Sequence, residues 1–258
     1  MSTKITTIKK NDLRTFITKY HLNGQVEQCE WEFDGKKLFT HFMSTHRQIL
    51  GKVSWGGFHH KTDNKAKFVV YTTSKLLRML SVLSDEVKVT LDVGDDEEVK
   101  YLKVADDDAS ETPLNVSYLL SRLDSITQAP RGPKTVPEFG VSLELSTALA
   151  DKIIKSCDAL PDQGSFYLES NKNDTIDMTL GFSSVSTNSI TINLPASSVT
   201  KKLSKITFPT TPFKEVLGAT KGSKKLNIHV SDGGLLKVEF SDDSGFSGYY
   251  YIVAVQES

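Results

Sequence analysis

A helical period recurs four times in this chain, and the spacing of the recurrences limits the fold more than any single residue does. Leu13, Phe16, Ile17 and Tyr20 form an apolar i, i+3, i+4, i+7 stripe. Leu76, Met79, Leu80 and Leu83 form a second, Ala150, Ile153, Ile154 and Cys157 a third, and Phe213, Val216, Leu217 and Thr220 a fourth. The stripes begin 63, 74 and 63 residues apart, so the second half copies the first at an offset of 137. A period of that length predicts a duplicated domain with two amphipathic helices per copy. The chain's 258 residues accommodate two such domains.

Start signals accompany the stripes. Asn11 or Asp12 is a candidate cap for the first helix, Thr73 or Ser74 for the second, Ser146 or Thr147 for the third, and Thr210 or Thr211 for the fourth. Pro212 falls where the fourth helix opens, and Gly218 and Gly222 predict its early end. Between helices the period becomes two. Val87, Val89, Leu91 and Val93 alternate with polar residues, followed by Leu102 and Val104. Leu226, Ile228 and Val230, then Leu236, Val238 and Phe240, then Tyr249, Tyr251, Val253 and Val255 repeat the pattern. Each second helix is therefore expected to lead into a three-stranded antiparallel meander, half-buried on one face.

Ala129–Pro137 holds three of the eight prolines and cannot pair as a central strand, so it reads as a connector. The predicted division is an N-terminal domain over 1–125, a connector over 126–138 and a C-terminal domain over 139–258. Ser54–Lys67, with Gly56-Gly57 and His59-His60, reads as a long exposed loop found in the first copy only.

Charge is segregated along the chain. The windows Lys9–Tyr20, Thr72–Ser84, Ser146–Asp158 and Thr211–Lys225 carry +3, +2, 0 and +3 in a chain whose total is −1. The acids concentrate in strand turns, at Asp92, Asp95–Glu98 and Asp106–Asp108. On a 100° wheel Lys75, Arg78, Lys152 and Lys155 lie well away from their apolar stripes, and Arg14 and Lys214 flank theirs. Helices that pack through their stripes would present these cations outward, as an electrostatic footprint for a polyanion. For any single helix, solubilising lysines are the simpler reading, and the neutral third helix favours that reading.

No motif points to catalysis. GxSxG, GxGxxG, P-loop and HExxH patterns are all missing. Cys29 and Cys157 are 128 positions apart and fit free thiols in a reducing compartment. The His59-His60 pair and the two acidic runs read as solvated loops and turns. The N-terminus lacks an apolar signal-peptide core, and no stretch is long enough to span a membrane. The expectation is a non-enzymatic binding protein in the cytoplasm, with no cofactor and no metal.

Together these features resemble a DNA sliding clamp, the polymerase processivity factor, of the two-domain trimeric type and nearest the T4-type bacteriophage clamps. The stretches that carry the resemblance are Phe68–Tyr71 leading into Ser74–Leu83, the acidic hairpin after it, and the ending Leu236–Phe240 with Tyr250–Val255. It covers the whole chain in outline and rests on architecture, because such clamps share few signature residues. The Ser54–Lys67 insertion and the neutral third helix depart from the pattern.

The resemblance implies an α+β clamp fold, with duplicated domains of two helices packed on antiparallel sheets, closing as a homotrimeric ring. Duplex DNA would pass through the hole and be touched on its phosphates without base reading. The implied pore residues are Lys10, Arg14, Lys19, Lys75, Arg78, Lys152, Lys155, Lys214 and Lys221. Implied partners are a DNA polymerase and an ATP-dependent clamp loader, in an infected bacterial cell if the protein is from a phage. Edge strands near Pro113–Leu120 and Ser186–Leu194 would pair between subunits, placing Val116, Tyr118, Ile190 and Ile192 at the boundary. Ile126, Val136, Phe139 and Tyr250 are candidates to line a pocket for partner peptides, with ordinary core packing the other reading of Phe139 and Tyr250. The competing functions are a duplicated β-rich structural or scaffold module of a virion or assembly, and an enzyme with a metal at the His41/His46 or His59/His60 loops.

Overall fold

A computed structural model of the chain describes residues 5–58, 66–93, 99–107, 112–171, 175–181 and 188–255. His59-His60, the predicted turn at Gly94–Glu98, Asp108 and Ser186 lie outside the described residues. The chain divides into two compact units. The first is Met1–Thr45, Lys52–Arg131 and Ser244–Phe246, and the second is His46–Gly51, Gly132–Asp243 and Ser247–Ser258.

The first half runs β1 (Ile5–Lys9), α1 (Lys10–His21), β2 (Cys29–Phe33), β3 (Leu38–Met43), β4 (Ile49–Trp55), β5 (Ala66–Val70), α2 (Thr73–Leu80), β6 (Glu86–Val93), β7 (Val99–Asp106) and β8 (Asn115–Leu119). The second runs β9 (Val141–Glu144), α3 (Thr147–Ala159), β10 (Ser165–Ser170), β11 (Thr175–Leu180), β12 (Ile190–Pro195), β13 (Ser198–Val199), β14 (Ile206–Pro209), α4 (Thr210–Ala219), β15 (Lys225–Ser231), β16 (Leu235–Ser241) and β17 (Phe246–Val253). Helix starts at 10, 73, 147 and 210 reproduce both the interval of 63 and the offset of 137.

The duplication extends to topology. The strand order β1-β6-β7-β8 is matched by β9-β15-β16-β17, and β4-β3-β2-β5 by β12-β11-β10-β14. In each half the second helix leads into an antiparallel meander, β6-β7-β8 or β15-β16-β17.

Each unit buries its own core beneath its helices. In the first, Phe16 of α1 meets Trp31 edge-on with centroids 5.1 Å apart, and Tyr20 packs against Trp31 and Phe42. The Tyr20 hydroxyl accepts from Trp31 Nε1 at 3.2 Å and lies 3.3 Å from Thr73 Oγ1, so the polar tips inside this cluster are satisfied. In the second, Phe166 packs on Phe208 and Phe213, with Ile153 and Cys157 of α3 also buried.

Three of the predicted caps give way to tertiary bonds. Only Ser146 caps as expected, its hydroxyl accepting from Leu149 N at 3.2 Å. Helices α1 and α4 continue directly from β1 and β14, so Lys9 and Pro209 are the N-caps and Pro212 falls at the third helical position. The first helical N–H groups of α1, α2 and α4 donate instead to Asp85, Glu27 and Gly164 carbonyls at 2.8, 3.0 and 3.0 Å.

The Ser54–Lys67 segment is also not wholly an exposed loop. Ser54 and Trp55 end β4, Trp55 and Phe58 are buried, and Ala66 and Lys67 open β5. Residues 126–140 hold no helix or strand.

Candidate nucleic-acid interface and free sheet edges

In the first unit, α2 presents Lys75 and Arg78 on its exposed face, opposite the buried Leu76 and Leu80. Neither cation makes an ion pair among the described residues. Arg14 of α1 is half-buried and likewise makes no ion pair among them.

Two predicted cations of α1 do not face solvent. Lys10 sends its Nζ to the Leu83 carbonyl and lies 3.8 Å from the Asp85 carboxylate, with its side chain only 12% exposed. Lys19 is 3% exposed, its Nζ 5.8 Å from the Phe246 ring centroid. The first turn of α1 starts against the α2–β6 turn, so Lys10 is spent on the end of the neighbouring helix. Lys19 lies on the buried side, beside Tyr20.

Glu27 fixes the start of α2. Its Oε2 accepts from Ser74 N at 3.0 Å and Ser74 Oγ at 3.1 Å, and its Oε1 lies 3.1 Å from His21 Nε2. Desolvation raises the Glu27 carboxyl, but the bonds from Ser74 and His21 outweigh it and hold the group below the usual carboxylate range.

In the second unit, Lys152 and Lys155 occupy the exposed face of α3 without an ion pair among the described residues. The acids that neutralise this helix in the sequence are engaged by Lys214 of α4 and by Lys221 just past its end. Asp158 pairs with Lys214 at 3.1 Å and Asp151 with Lys221 at 3.1 Å. The neutrality of α3 thus reflects cross-helix pairing, which leaves its own two lysines available. Lys214 and Lys221 hold the helix pair together as well as adding charge.

Both predicted edge strands lie at sheet edges. β8 pairs with β7, and β12 with β11, each as the terminal strand of its four-stranded sheet. The side chains expected at the boundary face inward, however. Val116, Tyr118 and Ile192 are 8%, 4% and 4% exposed, and Ile190 is half-buried. The apolar group that β8 leaves in solvent is Leu119, 65% exposed and directly opposite Tyr101 of β7. Alternation along the strand separates the two sets of positions.

Around the connector, Ile126 and Phe139 are half-buried and Val136 is 51% exposed. Phe139 packs beside the His229 ring at 5.9 Å. Tyr250 is fully buried and stacked on Phe240, so it belongs to the core. Val253 and Val255, expected on the half-buried face of the last strand, are 47% and 43% exposed, and Tyr250 and Ile252 of the opposite face are the buried ones. Both faces of Tyr249–Val253 are apolar in sequence, so a period of two does not say which face is buried. At the other end of the connector, Arg131 lies 4.0 Å from Glu32, which also holds Lys67 at 2.8 Å.

No group of three metal-ligating side chains occurs among the described residues. Burial pushes the Cys29 thiol up to about 12 and the Cys157 thiol up to about 11, far from a reactive thiolate. Ser142 Oγ lies 2.9 Å from His229 Nδ1, and His229 Nε2 lies 3.4 Å from Glu239, but Lys237 also bonds that carboxylate. The alignment links β9, β15 and β16 across one sheet face. Asp106, expected in a solvated acidic turn, is 5% exposed and bonded to two backbone N–H groups.

No protein-family model matches the chain, and no curated protein sequence matches it significantly. Solved structures do. The proliferating cellular nuclear antigen (PCNA) of Entamoeba histolytica superposes with a TM-score of 0.78 at 13% identity, over 99% of this chain and 100% of that one. PCNA of A. fulgidus, solved with the C-terminal region of FEN-1 bound, superposes with a TM-score of 0.75 at 16% identity, over 99% of both chains. At these identities the likeness defines the fold. The chain has the PCNA-like clamp fold, with two duplicated α+β units along its whole length.

Proposed function

We propose that the protein is a DNA sliding clamp. Three chains close into a ring around duplex DNA, and the ring tethers a DNA polymerase for processive synthesis without catalysing a reaction itself. The observation that carries this reading is the set of exposed cations Lys75, Arg78, Lys152 and Lys155, free of ion pairs among the described residues, on helices of a clamp fold whose net charge is only −1. Arg14, Lys214 and Lys221 add to the same field.

Cations that meet phosphates alone give sequence-independent, salt-dependent contact, which suits movement along the duplex. Retention comes from ring closure, so strong affinity is not required. β8 and β12 supply the free edges through which adjacent chains pair, and pairing removes the liability of two open edges. An ATP-dependent loader opens and closes the ring. The exposed apolar residues Val136, Val253 and Val255 supply the surface for partner tails, in keeping with the FEN-1 C-terminal region bound to the A. fulgidus clamp.

Light scattering behind size exclusion, across a dilution series, tests the ring. A mass near three times 28.6 kDa that falls on dilution is the expected result. A monomer at every concentration removes the ring and leaves a duplicated structural module.

A further inference from the structure

Edge strand β8 is tied to the start of α2 directly and to the turn after α2 through the last residue of β7. At the start of α2, the Tyr118 hydroxyl of β8 accepts from Thr72 N at 2.9 Å and donates to Thr72 O at 3.1 Å. Thr72 is the N-cap of α2, so one phenol holds both backbone groups of the residue where the helix begins. At the other end, Asp106, the last residue of β7, accepts at Oδ1 from Ser84 N at 2.6 Å, four residues past α2, and at Oδ2 from Leu114 N at 3.0 Å, just before β8. Asp106 N returns a bond to Leu114 O at 2.9 Å. Tyr118 and Asp106 are 4% and 5% exposed, so these bonds form largely out of water, where losing one is costly. The link is tertiary, since Thr72 and Tyr118 are 46 positions apart.

We infer that α2 and β8 open and close as one body, so that pairing at the β8 edge sets the mobility of the helix that carries Lys75 and Arg78, with Tyr118 as the positioning residue. This rests on the clamp reading for its consequence: subunit pairing and the DNA-facing cations are coupled within one unit. The coupling is reciprocal, so phosphate contact at Lys75 and Arg78 stiffens the edge that the neighbouring chain must grip. The device is short: Tyr118 of β8 bonds the residue before α2, and Asp106 at the end of β7 bridges the turn after α2 to the residue before β8.

Hydrogen exchange of the full chain, in low denaturant and across the dilution series, tests it. Tyr118→Phe keeps the aromatic ring in the core and deletes only the hydroxyl. In the wild type, the N–H groups of Leu77–Leu80 and those of β8 should share one opening transition as denaturant rises. Both should gain protection together as the chains associate. In Tyr118→Phe, the α2 amides should exchange about tenfold faster and separate from β8, while β8 still gains protection on association.

Wild-type α2 amides that open independently of β8 would overturn the inference. So would a Tyr118→Phe variant in which the two segments remain locked together. A chain that stays monomeric at all concentrations would instead remove the ring reading. The shared opening of α2 and β8 would then still decide whether they form one body.

Discussion

Asp106 shows how one carboxylate can hold segments distant in sequence. Bonds from Ser84 N and Leu114 N keep its carboxyl below the ordinary aspartate range, against the desolvation that raises it. A carboxyl lowered in the folded state contributes stability that is fully present above the unfolded value of about 3.9 and is lost as pH falls through the folded value. Asp106→Asn should cost about 1–3 kcal/mol, because one N–H then faces an amide donor. It should also flatten the acid limb of the unfolding curve, and urea unfolding between about pH 2 and 6 checks both effects. An unchanged acid limb would separate Asp106 from the pH response. None of this was legible at Asp106–Asp108, because sequence shows an acidic run and not the orphan donors that come to meet it. Lys10 and Lys19 were hidden for the same reason. A helical wheel gives a side chain's direction but not what stands there, and the Leu83 carbonyl is 73 positions from Lys10.

Elements were easier to read than their ends. Period and offset locate all four helices, because the stripes are what the cores of the two units require. Helix starts were harder because α1 and α4 grow directly out of strands, and their first donors find carbonyls elsewhere in the fold. The predicted edge strands lie at sheet edges, and in β8 Val116 and Tyr118 face inward while Leu119 faces solvent. This changes what a substitution there does. Val116→Asp puts an unpartnered carboxylate into the core and should cost about 3 kcal/mol or more, seen as a lowered thermal midpoint with less soluble chain. Leu119→Asp falls on the exposed face of the same strand and should leave the thermal midpoint nearly unchanged. It should yield soluble monomers in light scattering. An intact trimer from Leu119→Asp would move the subunit boundary away from β8.

At the scale of the molecule, the duplicated units place cations without ion pairs among the described residues on non-equivalent helices, α2 in one unit and α3 in the other. The acids of α3 are taken up by Lys214 of α4 and Lys221 just after it, so a helix of zero net charge still offers Lys152 and Lys155. This division of labour is hidden in a window count, which sums charges without regard to partners. It also directs the choice of test, since reversing Lys214 would set a second carboxylate against Asp158 and disturb the helix pair. The informative variant combines Lys75→Glu, Arg78→Glu, Lys152→Glu and Lys155→Glu, all exposed. Its thermal midpoint and its mass in solution should match the wild type. Its binding to random-sequence duplex DNA should weaken at low salt. The slope of log K against log salt should shrink by about 1 for each phosphate that is no longer neutralised. A slope equal to that of the wild type, with fold and mass intact, would place the DNA-facing surface elsewhere and return these four cations to the simpler role of keeping the surface solvated.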